Sequence, residues 1–289
     1  MKTSLKTLSL SLFIIIVMSM GTFVQAQDVV PGEKPIEAPK PTGKTIPEDL
    51  TADFNLSLYS QYIWRGYELS RGSVVFFPTL TVGYKGFAVN IWTDLDTRCV
   101  ASQDKDFKLQ ETDVTVSYSN SYKPWKLNYT VGWILYDYQA TQGTLEAQAA
   151  ENHFRDTKNQ EFFLSLGLDT FLKPTFTVYN EIEIGQAWYM SLALSHSIAV
   201  YKDWSLDLAG WVSYYSKSTG SDGSDGFGAF HDGNISAGLK IPINNFASIK
   251  PNIQYSFPLS GGAAHRIERN SFSGHNNFVY GGLIFDLAI

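Results

Sequence analysis

Ten carboxylates and four cations fall on one parity of a two-residue alternation: Asp53, Asp94, Asp96, Glu111, Asp113, Glu161, Glu181, Glu183, Asp207 and Asp286 against Arg65, Lys126, Lys240 and Lys250. Successive side chains of a strand point to opposite faces, so these groups share one face while the apolar residues between them share the other. A charged ring of one sign selects ions of the other. The chemistry implied is electrostatic filtering with a weak cation preference. All of these residues except Asp53 and Asp286 are pore-lining candidates. Inward Tyr59, Phe77, Trp92, Phe163, Tyr179, Tyr189 and Trp211 are bulky enough to narrow any channel.

Other chemistries find less support. A twelve-strand outer-membrane lipid hydrolase would need a serine and a histidine together on the lipid-facing wall. His196 has that parity, but Ser195 and Ser197 have the opposite one, and its same-face neighbours are Leu194 and Ile198. Nucleophile and base therefore do not meet, and no catalytic residue is assigned. His153, His231, His265 and His275 lie in or beside long connections without metal-ligand spacing and read as solvated loop residues. Gly220 to Gly226 carries Asp222 and Asp225 but lacks the acidic series and closing Glu of a calcium loop. No metal and no cofactor is implied.

The elements that must position the charged face are strands. Phe54, Leu56, Leu58, Tyr62 and Trp64 alternate with Asp53, Asn55, Ser57, Gln61 and Arg65, and Trp125 to Leu135 and Phe162 to Leu168 repeat the pattern. The periodicity predicts strands at about 53–65, 73–84, 87–96, 108–119, 125–138, 160–168, 174–184, 187–201, 204–215, 231–241, 247–257 and 276–288. The connections at 85–86, 121–124, 169–173, 202–203 and 242–246 are tight, whereas 97–107, 139–159, 216–230 and 258–275 are long, with 66–72 and 185–186 as short exceptions. In a soluble sandwich the polar parity would face solvent and loop lengths need not alternate. An all-β fold follows: a closed antiparallel transmembrane β-barrel of about 12 strands, with short periplasmic turns and longer extracellular loops. Connection 139–159 reads either as a solvated loop or as a short helix over the mouth, since Glu146 to Glu151 favours helix.

The ends of the chain give its address. Residues 1–26 read as a secretory signal, with Lys2 and Lys6 ahead of an apolar run and Val24-Gln25-Ala26 as the cleavage site. Residues 27–51 form a Pro-rich leader, expected to be extended and mobile in the periplasm, and 52–289 form the barrel. Removing Lys2 and Lys6 takes the formal charge from −6 to −8, which disfavours a nucleic-acid partner. Cys99, the single cysteine, cannot form an internal disulfide. The last strand, with Tyr280, Gly282, Phe285, Leu287 and Ile289, resembles the signal read by the outer-membrane insertion machinery, though that signal typically ends in Phe. The expected partners are that machinery, outer-membrane lipid and lipopolysaccharide, and small solutes or ions.

Ser60-Gln61-Tyr62-Ile63-Trp64-Arg65-Gly66 resembles the tyrosine…aromatic-Arg-Gly motif of the TorF-like group of outer-membrane porins. Residues 67–70 are Tyr-Glu-Leu-Ser where that group typically continues with a Ser-Gln pair. The resemblance implies a small barrel with a transport role and supplies no substrate. Read physically, Arg65 points inward near the outer mouth and needs carboxylate partners, either as a tie between strands or also as part of a solute path. The lumen is then a narrow passage or is plugged by cross-strand charge pairs, with a structural or surface role in the envelope.

Overall fold

The computed structural model describes residues 49–70, 72–98, 107–138, 158–183, 187–218 and 226–288. The signal segment, most of the leader, Cys99, the helix-prone stretch of 139–159 and most of Gly220 to Gly226 lie outside them.

Fourteen strands follow one another among the described residues: β1 (Leu50–Tyr59), β2 (Ile63–Trp64), β3 (Tyr67–Glu68), β4 (Val75–Tyr84), β5 (Phe87–Asp96), β6 (Lys108–Tyr122), β7 (Leu127–Tyr138), β8 (Lys158–Leu168), β9 (Thr175–Glu181), β10 (Ala187–Tyr201), β11 (Trp204–Lys217), β12 (Phe227–Pro242), β13 (Ala247–Pro258) and β14 (Phe278–Ala288). Twelve of them, β1 and β4 through β14, pair with sequence neighbours into a closed antiparallel barrel, while β2 and β3 pair only with each other. The seam joins β1 to β14 from Asp53↔Ala288 to Tyr59↔Gly282. A Cβ on Gly282 would lie 1.8 Å from the Leu58 carbonyl oxygen, so only glycine lets the last strand approach the first.

The alternation predicted from sequence is visible in the burial. Leu80, Val89, Ile91, Val131, Leu192 and Ile253 stand exposed on the outer wall, and Thr79, Asn90, Thr115 and Thr130 are buried inside. Apart from the seven-residue β9, strands of ten residues or more suffice to cross hydrocarbon obliquely. So large an apolar outer surface is a face for lipid rather than water. Among the described residues no helix is long and apolar enough to cross a membrane.

The start of β1, the end of β14 and all five tight turns share one end, called the turn end here; the long connections share the other, the loop end. At Lys85-Gly86 both residues have positive φ, 50° and 86°, the mirror-image turn that suits a two-residue hairpin.

Three expectations are corrected. The first predicted strand, 53–65, leaves the wall after Tyr59; Ser60, a polar residue in the apolar phase, marks the break. Residues 66–70, expected within a short rim connection at 66–72, are therefore part of an inward excursion. Lys126 does not line the lumen: it follows a one-turn 3₁₀ helix, Lys123–Trp125, with φ 50°, and is exposed at the turn end. The connection 258–275 carries a helix, α1 (Gly261–Asn270). Ser260 caps it, its Oγ accepting from the Ala263 N–H at 3.2 Å, and Ala263 and Ile267, four apart, bury one face.

Candidate functional site: a lumen crossed by a hairpin

The lumen has two tiers. At the turn end its lining is small and polar. Asn55 Nδ2 donates to Asp286 Oδ1 at 2.5 Å, Ser57 Oγ to Asn55 Oδ1 at 2.7 Å, Ser248 Oγ to Asp286 Oδ2 at 3.2 Å and Asn90 Nδ2 to Thr81 Oγ1 at 2.8 Å. At the loop end the lining turns aromatic. Tyr59, Tyr62, Phe77, Phe278 and Tyr280 form one buried cluster, and Ile134, Tyr136, Phe163, Tyr179 and Tyr189 form another.

Between these clusters lies the β2–β3 hairpin. Its turn, Trp64-Arg65-Gly66-Tyr67, has φ 47° at Arg65 and 86° at Gly66. Glycine is required at 66 for a second reason: a Cβ there would come within 2.8 Å of Ile267 Cδ1 and 3.0 Å of Asp232 Cβ. The stem is closed by the Leu69 N–H on the Tyr62 carbonyl at 2.8 Å and the Tyr62 N–H on Ser70 Oγ at 2.8 Å.

Arg65 occupies the tip. Its Nη1 and Nη2 donate to Glu161 Oε1 and Oε2 at 2.8 and 2.7 Å, and Tyr136 Oη donates to the same carboxylate at 2.9 Å. The rings of Trp64, Tyr179 and Tyr189 surround the guanidinium, their centroids 4.4, 4.7 and 4.4 Å from Cζ. A planar guanidinium suits both partners, pairing two-pronged with carboxylate in its plane and stacking on aromatic faces above it. Arg65 and Glu161 are buried, 8% and 3% exposed, so the charges have replaced water with each other. Counted round the ring, β9 stands sixth from β1 in either direction, with β8 and β10 beside it. A connection that starts on β1 thus reaches Glu161 on β8, Tyr179 on β9 and Tyr189 on β10, on the opposite wall. On the way, Tyr62 meets Phe77 and Trp92 and donates to Glu111 Oε2 at 3.2 Å, and Trp64 meets Tyr136. The hairpin crosses the lumen from wall to wall.

Helix α1 and the residues after it hold the hairpin from the loop end. Arg266 Nε donates to Tyr67 Oη at 2.9 Å while its Cζ sits 5.1 Å from the Tyr215 and Phe227 ring centroids. Burial raises the Tyr67 phenol well above its ordinary range, and the Arg266 guanidinium offsets part of the rise. Glu68 is strapped three ways: its N–H donates to Ser271 Oγ at 3.0 Å, its carbonyl accepts from the Phe272 N–H at 3.2 Å, and its carboxylate accepts from the Ser273 N–H at 2.8 Å.

The other candidates scatter. Asp94, Asp96, Glu111 and Asp113 are buried side by side on β5 and β6, with Asp94 opposite Glu111. Glu181 lies opposite Glu161, within the hairpin's reach. Asp207, Lys240 and Lys250 belong to the turn-end tier, where Asp207 accepts from Ser205 Oγ at 3.1 Å and Lys250 is buried. Glu183 lies beyond the end of β9, exposed, and accepts from Gln160 Nε2 at 2.7 Å on the outer wall. Its expected inward position is thus corrected, because β9 ends at Glu181 and the alternation stops with it.

His231, expected as a solvated loop residue, is fully buried. The register of β11 and β12 slips between Val212 and Tyr214, a bulge that turns both His231 and Asp232 inward. Its ring lies 5.3 Å from those of Tyr67 and Tyr215. Asp232 accepts from Tyr189 Oη at 3.0 Å, Trp211 Nε1 at 3.2 Å and Ser213 Oγ at 2.6 Å. Sequence reasoning missed Asp232 and Glu68, because a bulge and an excursion each reset the parity on which the candidates were chosen. His196 sits on the outer wall as expected, with Nδ1 2.9 Å from the Phe171 carbonyl oxygen and Leu208 opposite it on β11. His265 and His275 are exposed.

No known protein family and no curated protein matches the chain. Several solved barrels match it distantly in structure. An anion-selective porin from Comamonas acidovorans is 10% identical with a TM-score of 0.30 over 74% of this chain, and the chain spans 59% of that porin's length. OmpT of Vibrio cholerae is 7% identical with a TM-score of 0.38, over 83% of this chain and 98% of its own. The translocator domain of the autotransporter NalP from Neisseria meningitidis is 8% identical with a TM-score of 0.33, over 84% and 90%. All are outer-membrane barrels, and the likeness is one of fold alone.

Proposed function

We propose that this chain is a bacterial outer-membrane barrel for restricted passage of small ions or solutes, shut at rest by the β2–β3 hairpin. The observation that carries the reading is the cross-lumen ion pair of Arg65 with Glu161, at the tip of an excursion that closes a tube whose turn-end half is lined by polar side chains. Releasing that pair frees the tip of the hairpin that, among the described residues, spans the bore. The inward acids, among them Asp94, Asp96, Glu111, Asp113, Glu181 and Asp207, outnumber Lys240 and Lys250, which supports a weak cation preference. The resemblance to TorF-like porins agrees with this reading, and its motif residues Tyr62, Trp64, Arg65 and Gly66 are those that build the closure. Export by a cleaved signal and insertion through the last strand complete the proposal.

A second reading, a sealed barrel with a structural role in the envelope, is favoured by the firmness of the closure: three rings on Arg65 and three hydrogen bonds between Glu68 and residues 271–273. Planar-bilayer conductance in a salt gradient separates the two. Restricted passage expects rare cation-selective steps from the native protein, frequent ones from Glu161→Gln, and a steady opening when residues 61–72 are replaced by a short Gly-Ser link. A native barrel that never opens while the shortened one conducts supports the sealed role. A folded shortened barrel that conducts nothing refutes passage, and a reversal potential favouring anions removes the cation preference.

A further inference from the structure

Every described non-glycine residue with positive φ is basic: Arg65 at the hairpin tip, and Lys85, Lys126, Lys173 and Lys202. The four lysines stand in the turns β4–β5, β6–β7, β8–β9 and β10–β11, so four of the five tight turns place a lysine in the left-handed region. That conformation suits glycine or asparagine and strains a long L side chain. The same residue type recurring where the backbone disfavours it points to the ammonium as the reason for its presence.

The surroundings of these lysines repeat as well. Each follows an exposed apolar residue in the chain: Tyr84, Trp125, Leu172 and Tyr201, 46, 56, 45 and 58% exposed. Lys85 Nζ lies 5.2 Å from the Tyr84 ring centroid and Lys202 Nζ 5.1 Å from that of Tyr201. An aromatic body with a cation beside it, at the edge of an apolar wall, is the arrangement that spans the boundary between acyl chains and headgroups. Among the described residues, the exposed acids at this end are Asp49, 3.5 Å from Lys85, with Asp169 and Asp203, and Lys123 adds a fifth cation. The turn β12–β13 has Ile243 and Phe246 exposed and no lysine, so the cations form an arc rather than a full ring.

We propose that this arc binds the phosphates of anionic phospholipids in the leaflet met by the tight turns, the compact ammonium of each lysine reaching a headgroup from beside a lipid-facing side chain. The proposal rests on the barrel lying in a membrane and is independent of passage: a sealed lumen leaves it standing, and failure here leaves the hairpin closure untouched.

The test uses the full chain refolded into phosphatidylcholine vesicles carrying spin-labelled phosphatidylglycerol or phosphatidylcholine as probe. The motionally restricted fraction gives the relative affinity. The native protein is expected to favour phosphatidylglycerol at least about two-fold. Replacing Lys85, Lys126, Lys173 and Lys202 by Gln should bring the ratio to unity, and replacing them by Arg should retain it. Should the Gln variant fail to fold, the native protein in about 0.5 M NaCl serves instead, where the preference should fall toward unity by screening. No preference in the native protein, an undiminished one in the folded Gln variant, or one indifferent to salt overturns the proposal. Lysine-dependent sedimentation with cell-wall polymer, without lipid preference, would overturn it in favour of a wall contact.

Discussion

Glu161→Gln tests the closure at its narrowest dependence. The substitution keeps the side-chain shape and one acceptor but removes the charge opposite Arg65, whose hydrogen bonds at 2.8 and 2.7 Å are buried. Breaking a buried ion pair by removing one partner costs about 3–5 kcal/mol. The retained amide oxygen, and Glu181 opposite position 161 as a substitute carboxylate, place the expected loss at the lower end. A loss of about 3 kcal/mol raises the population of the released hairpin roughly 100-fold. Arg65-Gly66 is itself a tryptic bond, inaccessible while the tip is locked in the lumen. When opening and reclosing are fast, cleavage follows the open population. Trypsin added to folded protein in vesicles, with the 65–66 cut quantified by mass spectrometry, should therefore act roughly 100-fold faster on the variant. Glu183→Gln, at an exposed site on the outer wall, should leave the rate unchanged. A folded Glu161→Gln barrel cut at 65–66 within about three-fold of the native rate would refute the claim that this pair holds the hairpin.

Three further outcomes follow from the geometry. Gly66→Ala puts a Cβ at φ 86° within 2.8 Å of Ile267, and should loosen the hairpin by about 2–3 kcal/mol, read by the same cleavage. Ile267→Ala empties a fully buried site beneath α1 and should cost about 2–4 kcal/mol, seen as faster hydrogen exchange across 261–270. Lys126→Gly relieves a left-handed lysine at φ 50° and should leave stability unchanged or raise it by up to about 1 kcal/mol in urea titration, while weakening the preference for anionic lipid.

Strand phase was legible because hydrocarbon outside and polar lumen inside impose opposite demands on adjacent residues. Phe54 against Asn55, or Val131 against Thr130, states that demand directly. What escaped was whatever leaves the wall. Tyr62 and Trp64 continue the apolar phase of Phe54, Leu56 and Leu58, so parity alone cannot tell a lipid-facing ring from one folded into the bore; the polar Ser60 between them was the available signal. Helix α1 has a serine cap and two apolar residues four apart, but Gly261 and Gly262 in its first turn hide it. His231 and Asp232 were displaced by a one-residue bulge, which no periodicity records. Arg65 was expected to seek carboxylates from the cost of burying a guanidinium, but the choice of Glu161 depended on a reach across the whole barrel that sequence spacing does not contain.

The strap on Glu68 gives the molecule an order of assembly. Ser271, Phe272 and Ser273, which hold the hairpin, come just before β14, the strand that seals the seam against β1. The hairpin itself follows directly from β1. The beginning and the end of the barrel therefore meet twice, once in the wall and once in the bore, and both meetings wait for the chain from Ser271 onward. A chain ending before Ser271 would have an open edge and a hairpin without its Glu68 strap together, so the last segment to arrive both seals the cylinder and fastens the hairpin inside it.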